Sequence, residues 1–139
     1  MLQEALKARN ELPETARPLL FGVTVLTSLN TEDLKEIYSA DNVPGKVKSL
    51  ALLAKTSGID GIVCSGKEVE LVKKTCGERF LTLVPGVSVG NEIERKDQKR
   101  VVPIEQISKY IDYAVVGRQI TESIDPVAMV KNIEKLIKN

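Results

Sequence analysis

Ala114-Val115-Val116-Gly117-Arg118-Gln119-Ile120-Thr121 is an apolar, β-branched run that stops at a Gly-Arg pair and passes into a new segment. A strand of a parallel sheet reads this way, because both faces are covered and no polar alternation is required. Working backwards, Tyr113–Val116 is the last of four such runs, after Leu19–Leu26, Ile59–Cys64 and Phe80–Val84. Helical spacing separates them. Asn30 or Thr31 caps a helix carrying Leu34, Ile37 and Tyr38, with Glu32 and Asp33 at its positive dipole end. After a turn at Asp41–Gly45, residues 46–57 place Val47, Leu50, Ala51 and Ala54 on one face, and Gly58 follows as a C′ residue. Ser65-Gly66-Lys67-Glu68 has the spacing of a capping box and opens a helix to about Cys76, ended by Gly77. Pro103 suits the first position of a helix with Ile104, Ile107 and Ile111 inward. Asp125 and Pro126 cap and start the last helix, whose buried stripe is Val130, Ile133 and Ile137. A leading helix over 2–10 has Leu2, Ala5 and Leu6 on one face and no N-cap, as if it began mid-element.

A leading helix and then strand–helix alternation predict an α/β fold: a parallel sheet with right-handed crossovers, in a single domain over 1–139. An open doubly wound sheet and part of a (βα)8 barrel both fit, and periodicity does not separate them.

Composition narrows the function classes. The 139 residues are enough for one core and short for two. Lys+Arg is 20 against 19 for Asp+Glu, so no strong field favours nucleic acid or an anionic membrane. Aromatic residues are 4% with no Trp, which leaves no platform for stacking bases. The absence of His excludes a His-based triad or His zinc site within the chain. Cys64 and Cys76 have no metal or redox spacing and read as buried free thiols of a reducing, cytoplasmic setting. No apolar run approaches a membrane span, and the amphipathic start at Met1–Leu6 is not a signal peptide.

Two segments carry binding chemistry. At Gly117-Arg118 a glycine lets backbone approach an anion, the following turn offers free amides, and the guanidinium can fork onto two phosphate oxygens. A lone Gly-Arg could equally be a strand-ending glycine with a surface arginine. The stretch from Gly86 to Val102 is too long for an ordinary strand–helix connection, and loops of that length tend to serve a function. It carries Glu94-Arg95-Lys96-Asp97-Gln98-Lys99-Arg100, whose charges read individually as solvated, while Gln98 can turn inward and donate to phosphate without adding charge. Phosphate sites of barrels lie on the loops after the seventh and eighth strands, beside a short extra helix. Residues 117–122 could supply that helix.

Gly22-Val23-Thr24-Val25-Leu26-Thr27-Ser28, Asp60-Gly61-Ile62-Val63-Cys64-Ser65, Val84-Pro85-Gly86-Val87, Asp97-Gln98-Lys99-Arg100-Val101 and Val116-Gly117-Arg118-Gln119-Ile120-Thr121 occur in the order seen in the orotidine 5′-monophosphate decarboxylases. The resemblance covers residues 2–137. It implies that the four strands are the fifth to eighth of a (βα)8 barrel, making the chain a C-terminal half-barrel. It implies that Thr27 lies against the pyrimidine and that Gln98, Gly117 and Arg118 hold the 5′-phosphate. The implied reaction converts orotidine 5′-monophosphate to UMP and CO2 without cofactor or metal. Two departures matter. Ser88 stands where the bacterial pattern has an arginine. The family's Asp-x-Lys-x-x-Asp motif is missing, since Asp33-Leu34-Lys35 continues to Tyr38 and belongs to a capped helix. No catalytic residue is therefore expected here, and the chain alone is expected to be inactive. A half-barrel leaves two strand edges unpaired, so self-association or docking with an N-terminal half is expected. The alternatives are a non-catalytic or engineered half-barrel that assembles or binds phosphate, and a related phosphate-barrel enzyme such as a hexulose-phosphate synthase.

Overall fold

Four short strands pair side by side in a computed structural model that describes residues 1–39, 41–89 and 100–137. They are β1 (Phe21–Val23), β2 (Gly61–Val63), β3 (Leu81–Pro85) and β6 (Tyr113–Val115), in the order β1-β2-β3-β6. Every pairing is parallel, with Phe21 opposite Gly61, Gly61 opposite Leu81, and Leu83 opposite Tyr113. Parallel neighbours need a crossover, and helices provide it. After the leading α1 (Leu2–Asn10), α2 (Thr31–Tyr38) and α3 (Val43–Thr56) join β1 to β2, and α4 (Val69–Cys76) joins β2 to β3. Between β3 and β6 lie β4 (Val87–Ser88), β5 (Val102–Pro103) and α5 (Ile104–Ile107), and β6 is followed by α6 (Arg118–Thr121) and α7 (Pro126–Ile137).

Period-two alternation sorts the strand residues onto two faces. Ile62, Thr82 and Val84 point toward the helices and are fully buried with Val47, Ala51, Val69 and Val72. Burying one such aliphatic side chain contributes about 1.5–3 kcal/mol. The other face carries Phe21, Val23, Leu81, Leu83, Tyr113 and Val115, with Val23 62% and Val115 48% exposed. The expectation that Leu19–Leu26 is covered on both faces is therefore corrected. Its regular pairing is confined to Phe21–Val23, and Leu19, Val23 and Leu26 are exposed. That uncovered face is curled. Three strand spacings would hold β1 and β6 about 14 Å apart in a flat sheet, yet the Phe21 and Tyr113 rings meet edge to face with centroids 5.7 Å apart. Gly61, on the same face, is required by close approach, because a Cβ there would come within 2.4 Å of the Leu81 carbonyl oxygen.

The N-terminal end of the sheet is tied by polar groups. The Lys73 ammonium, 4% exposed, donates to the Asp112 carboxylate at 2.7 Å and to the carbonyls of Glu78 and Phe80 at 2.9 and 3.1 Å. The Thr82 amide donates to the same Asp112 oxygen at 2.7 Å. On the β1 side, Asp60 accepts from Arg9 at 2.6 Å and from the Leu20 amide at 2.7 Å.

Several local expectations change. α3 begins at Val43, not residue 46, because the Asn42 side chain accepts from the Gly45 amide at 2.9 Å and absorbs the expected turn. Pro103 closes β5, α5 is a single turn, and Ile111 is already extended as it approaches β6. On α7 the buried contact comes from Ile133, with Met129 and Leu136 partly buried, while Val130 and Ile137 are exposed.

Candidate functional site

All four strands of the sheet run the same way, so Thr27, Ser65, Gly86 and Gly117 follow their C-terminal ends. Open α/β sheets and barrels place their ligand sites there. Gly117 lies just past β6 and caps α6 by accepting from the Ile120 and Thr121 amides at 2.8 and 3.2 Å. A Cβ at Gly117 would meet nothing within 4 Å, so the backbone has open space beside it. Arg118 is exposed at the first position of α6. A glycine beside open space, followed by a guanidinium, has the chemistry to receive an anion.

Thr27 lies in the turn after β1, where the Leu29 amide donates to the Leu26 carbonyl at 3.1 Å, and it is buried. Its neighbour Thr24 is buried and donates to the Val63 carbonyl at 2.7 Å, fastening this loop to β2. Thr27 and the Gly117-Arg118 turn share one end of the sheet but follow opposite edge strands. Gln98 lies outside the described residues, as do the other charges of the 94–99 cluster.

The decoy motif resolves as expected. Asp33 belongs to α2, where its carboxylate accepts from the Asn30 amide at 2.8 Å while the Asn30 side chain accepts from the Asp33 amide at 2.9 Å. This reciprocal box defines a helix start, so Asp33-Leu34-Lys35 forms no strand-end catalytic motif. Among the described residues no group of three or more His, Cys, Asp or Glu could hold a metal ion.

Sequence reasoning missed a buried polar cluster. Ser65 and Glu68 do not form the expected capping box. The Ser65 hydroxyl donates to the Arg100 carbonyl at 2.9 Å, and the Glu68 carboxylate pairs with the Arg100 guanidinium. α4 starts at Val69 with no side-chain cap, because Glu68 is committed elsewhere. Arg100 was expected to be solvated with its neighbours and is instead buried, its carbonyl and guanidinium held from the loop after β2. Burial pushes the Glu68 carboxyl above its ordinary range, against the pull of Arg100. Burial, and the nearby Glu68 charge, push the Cys64 thiol up to about 12. Both cysteines are free and buried.

A curled sheet of four parallel strands alternating with helices defines the class of parallel α/β proteins. The model of the "Orotidine 5'-phosphate decarboxylase / HUMPS family" matches residues 1–133, and the chain belongs to that family. It is 41% identical over 139 residues to an orotidine 5'-phosphate decarboxylase of Coxiella burnetii, covering 99% of this chain and 58% of that protein. A Vibrio parahaemolyticus protein of the same name is 42% identical over 118 residues, covering 84% of this chain and 50% of that one. The crystal structure of orotidine 5'-phosphate decarboxylase from Lactobacillus acidophilus superposes with a TM-score of 0.81 at 29% identity, covering 100% of this chain and 58% of that one. The chain thus spans about half the length of the curated relatives it matches.

Proposed function

We propose that this chain is the phosphate- and pyrimidine-binding half of an orotidine 5′-phosphate decarboxylase, corresponding to the fifth to eighth strands of the barrel. Thr27 contacts the pyrimidine, and Gln98, Gly117 and Arg118 hold the 5′-phosphate. The observation that carries this reading is the Gly117-Arg118 turn at the C-terminal end of β6, with open space at the glycine and the guanidinium exposed beside it.

Phosphate lies far from the carbon that loses CO2, yet gripping it can lower the barrier. Binding energy from a non-reacting part of a substrate offsets the cost of orienting and desolvating the reacting part. Oriented amides and a guanidinium act on the dianion with little reorganisation. The acid–base and carboxylate-crowding groups of the Asp-x-Lys-x-x-Asp motif belong to strands outside this chain. The chain alone therefore binds without turning over, and the uncovered sheet face and the edge strands β1 and β6, unpaired on their outer sides among the described residues, receive the complementary barrel strands or a second copy. A cytoplasmic setting accords with two buried free thiols.

Titration of the purified chain with UMP tests the site. Arg118→Ala is expected to weaken binding about tenfold or more, in line with the loss of a hydrogen bond to a charged group, and in a complete enzyme to lower kcat/KM. Equal affinity of the variant overturns the assignment. Pyrimidine absorbance followed after mixing the chain with orotidine 5′-monophosphate is expected to stay constant, and robust turnover overturns the division of labour.

A further inference from the structure

Beside the Gly117-Arg118 turn, the two short strands β4 and β5 pair in parallel, Val87 with Val102 and Ser88 with Pro103. This ribbon is fastened from both sides by side chains that no part of the catalytic account uses. From the β2 side, Ser65 holds the Arg100 carbonyl and Glu68 holds the Arg100 guanidinium, just ahead of β5. From the β6 side, Gln119, the residue after Arg118, donates its amide to the Val89 carbonyl, just past β4, at a long 3.5 Å. All of these side chains except Val89 are polar, and Ser65, Glu68, Arg100 and Gln119 are each at least nine-tenths buried.

An ion pair is an inefficient way to stabilise a core, because apolar groups of similar volume pack as well without losing hydration. What it adds is direction. A carboxylate and a guanidinium meet in few geometries, so the pair fixes where the chain enters β5. Among the described residues, Arg100 Nη1, Ser88 Oγ and Gln119 Oε1 have no hydrogen-bond partner.

We propose that Glu68, Arg100, Ser65 and Gln119 are positioning residues that hold the β4–β5 ribbon in register with the Gly117-Arg118 turn and thereby set the geometry of the phosphate grip. The inference rests on reading that turn as a phosphate site. Gln119 is its most direct element, because one residue links the arginine's own helix to the ribbon.

The test is an NMR titration of the whole chain with UMP and with uridine, on wild type, Gln119→Ala, Glu68→Gln, Ser65→Ala and Arg118→Ala, with circular dichroism to verify folding. Gln119→Ala and Glu68→Gln are expected to weaken UMP by three- to tenfold and leave uridine unchanged. A purely structural role would move the melting temperature, or both ligands together, and either result without a change in the UMP-to-uridine ratio overturns the proposal. Should Glu68→Gln fail to fold, Gln119→Ala and Ser65→Ala carry the test, and an unchanged ratio in both overturns it. If Arg118→Ala loses UMP while the positioning variants keep it, the phosphate reading stands and the positioning role falls. A wild-type chain that does not bind UMP overturns both.

Discussion

Asp112 shows how a single charge can hold one end of this sheet together. Burial alone would raise its carboxyl, but donation from Lys73 and Thr82 outweighs that and holds it below the usual carboxylate range. A carboxylate whose pKa is depressed by folding contributes stability above its unfolded value, about 3.9, and loses it as pH falls through the lower folded value. Urea unfolding of wild type and Asp112→Asn from pH 7 down to pH 2 is expected to show the wild type more stable at neutral pH and the gap closing below about pH 4. A gap that stayed constant with pH would mean that Asp112 acts through shape and not through charge. This end of the sheet is opposite the proposed phosphate site, so UMP affinity of the folded variant should not change. The same scale explains what the sequence left hidden about Arg100. Among Lys96, Lys99 and other charges it reads as one more solvated residue, since burial of an arginine depends on a carboxylate 32 positions earlier. The turn at Gly117-Arg118 between β6 and α6 was legible because its signals are local: a strand-ending glycine and a helix start are contiguous in the chain.

At the scale of elements, caps and periods carried most of the information. The Asn30–Asp33 box forms with both hydrogen bonds present, and Asp125 caps α7 by accepting from the Ala128 amide at 2.9 Å. Asn30→Ala is expected to cost about 1 kcal/mol, read as a shift of the urea midpoint at an unchanged slope. A shift below a few tenths would show that α2 is held by Leu34, which is fully buried, and not by its cap. Where two elements compete for one residue, local rules fail. Ser65 and Glu68 match a capping box in spacing but bond to Arg100 instead. Gly86, with φ of 69°, turns the chain out of β3, and the segment that reads as an unbroken loop pairs at its two ends as β4 and β5. No local signal marks a two-residue strand.

For the whole molecule the telling feature is the uncovered sheet face, lined by Phe21, Val23, Leu83, Tyr113 and Val115. An apolar face whose edge strands β1 and β6 have no further strand beside them among the described residues leaves groups that another surface can cover. Dynamic light scattering is expected to show the isolated chain self-associated, and co-expression with the complementary N-terminal strands of a relative is expected to give a soluble one-to-one complex in which Tyr113 fluorescence is shielded from iodide. A monodisperse monomer with quenchable Tyr113, unaffected by the added strands, would contradict this.

The sequence by itself determined the alternation of strand and helix, the parallel sheet and the position of the Gly117-Arg118 turn. Hydrophobic period, caps and turn residues are properties of neighbours along the chain. Tertiary structure alone decided which face of β1 lies open, that Phe21 and Tyr113 meet across a curled sheet, and that Glu68 closes on Arg100. Those outcomes depend on which strands stand beside one another, and residues far apart in the chain carry no mark of that until the sheet assembles.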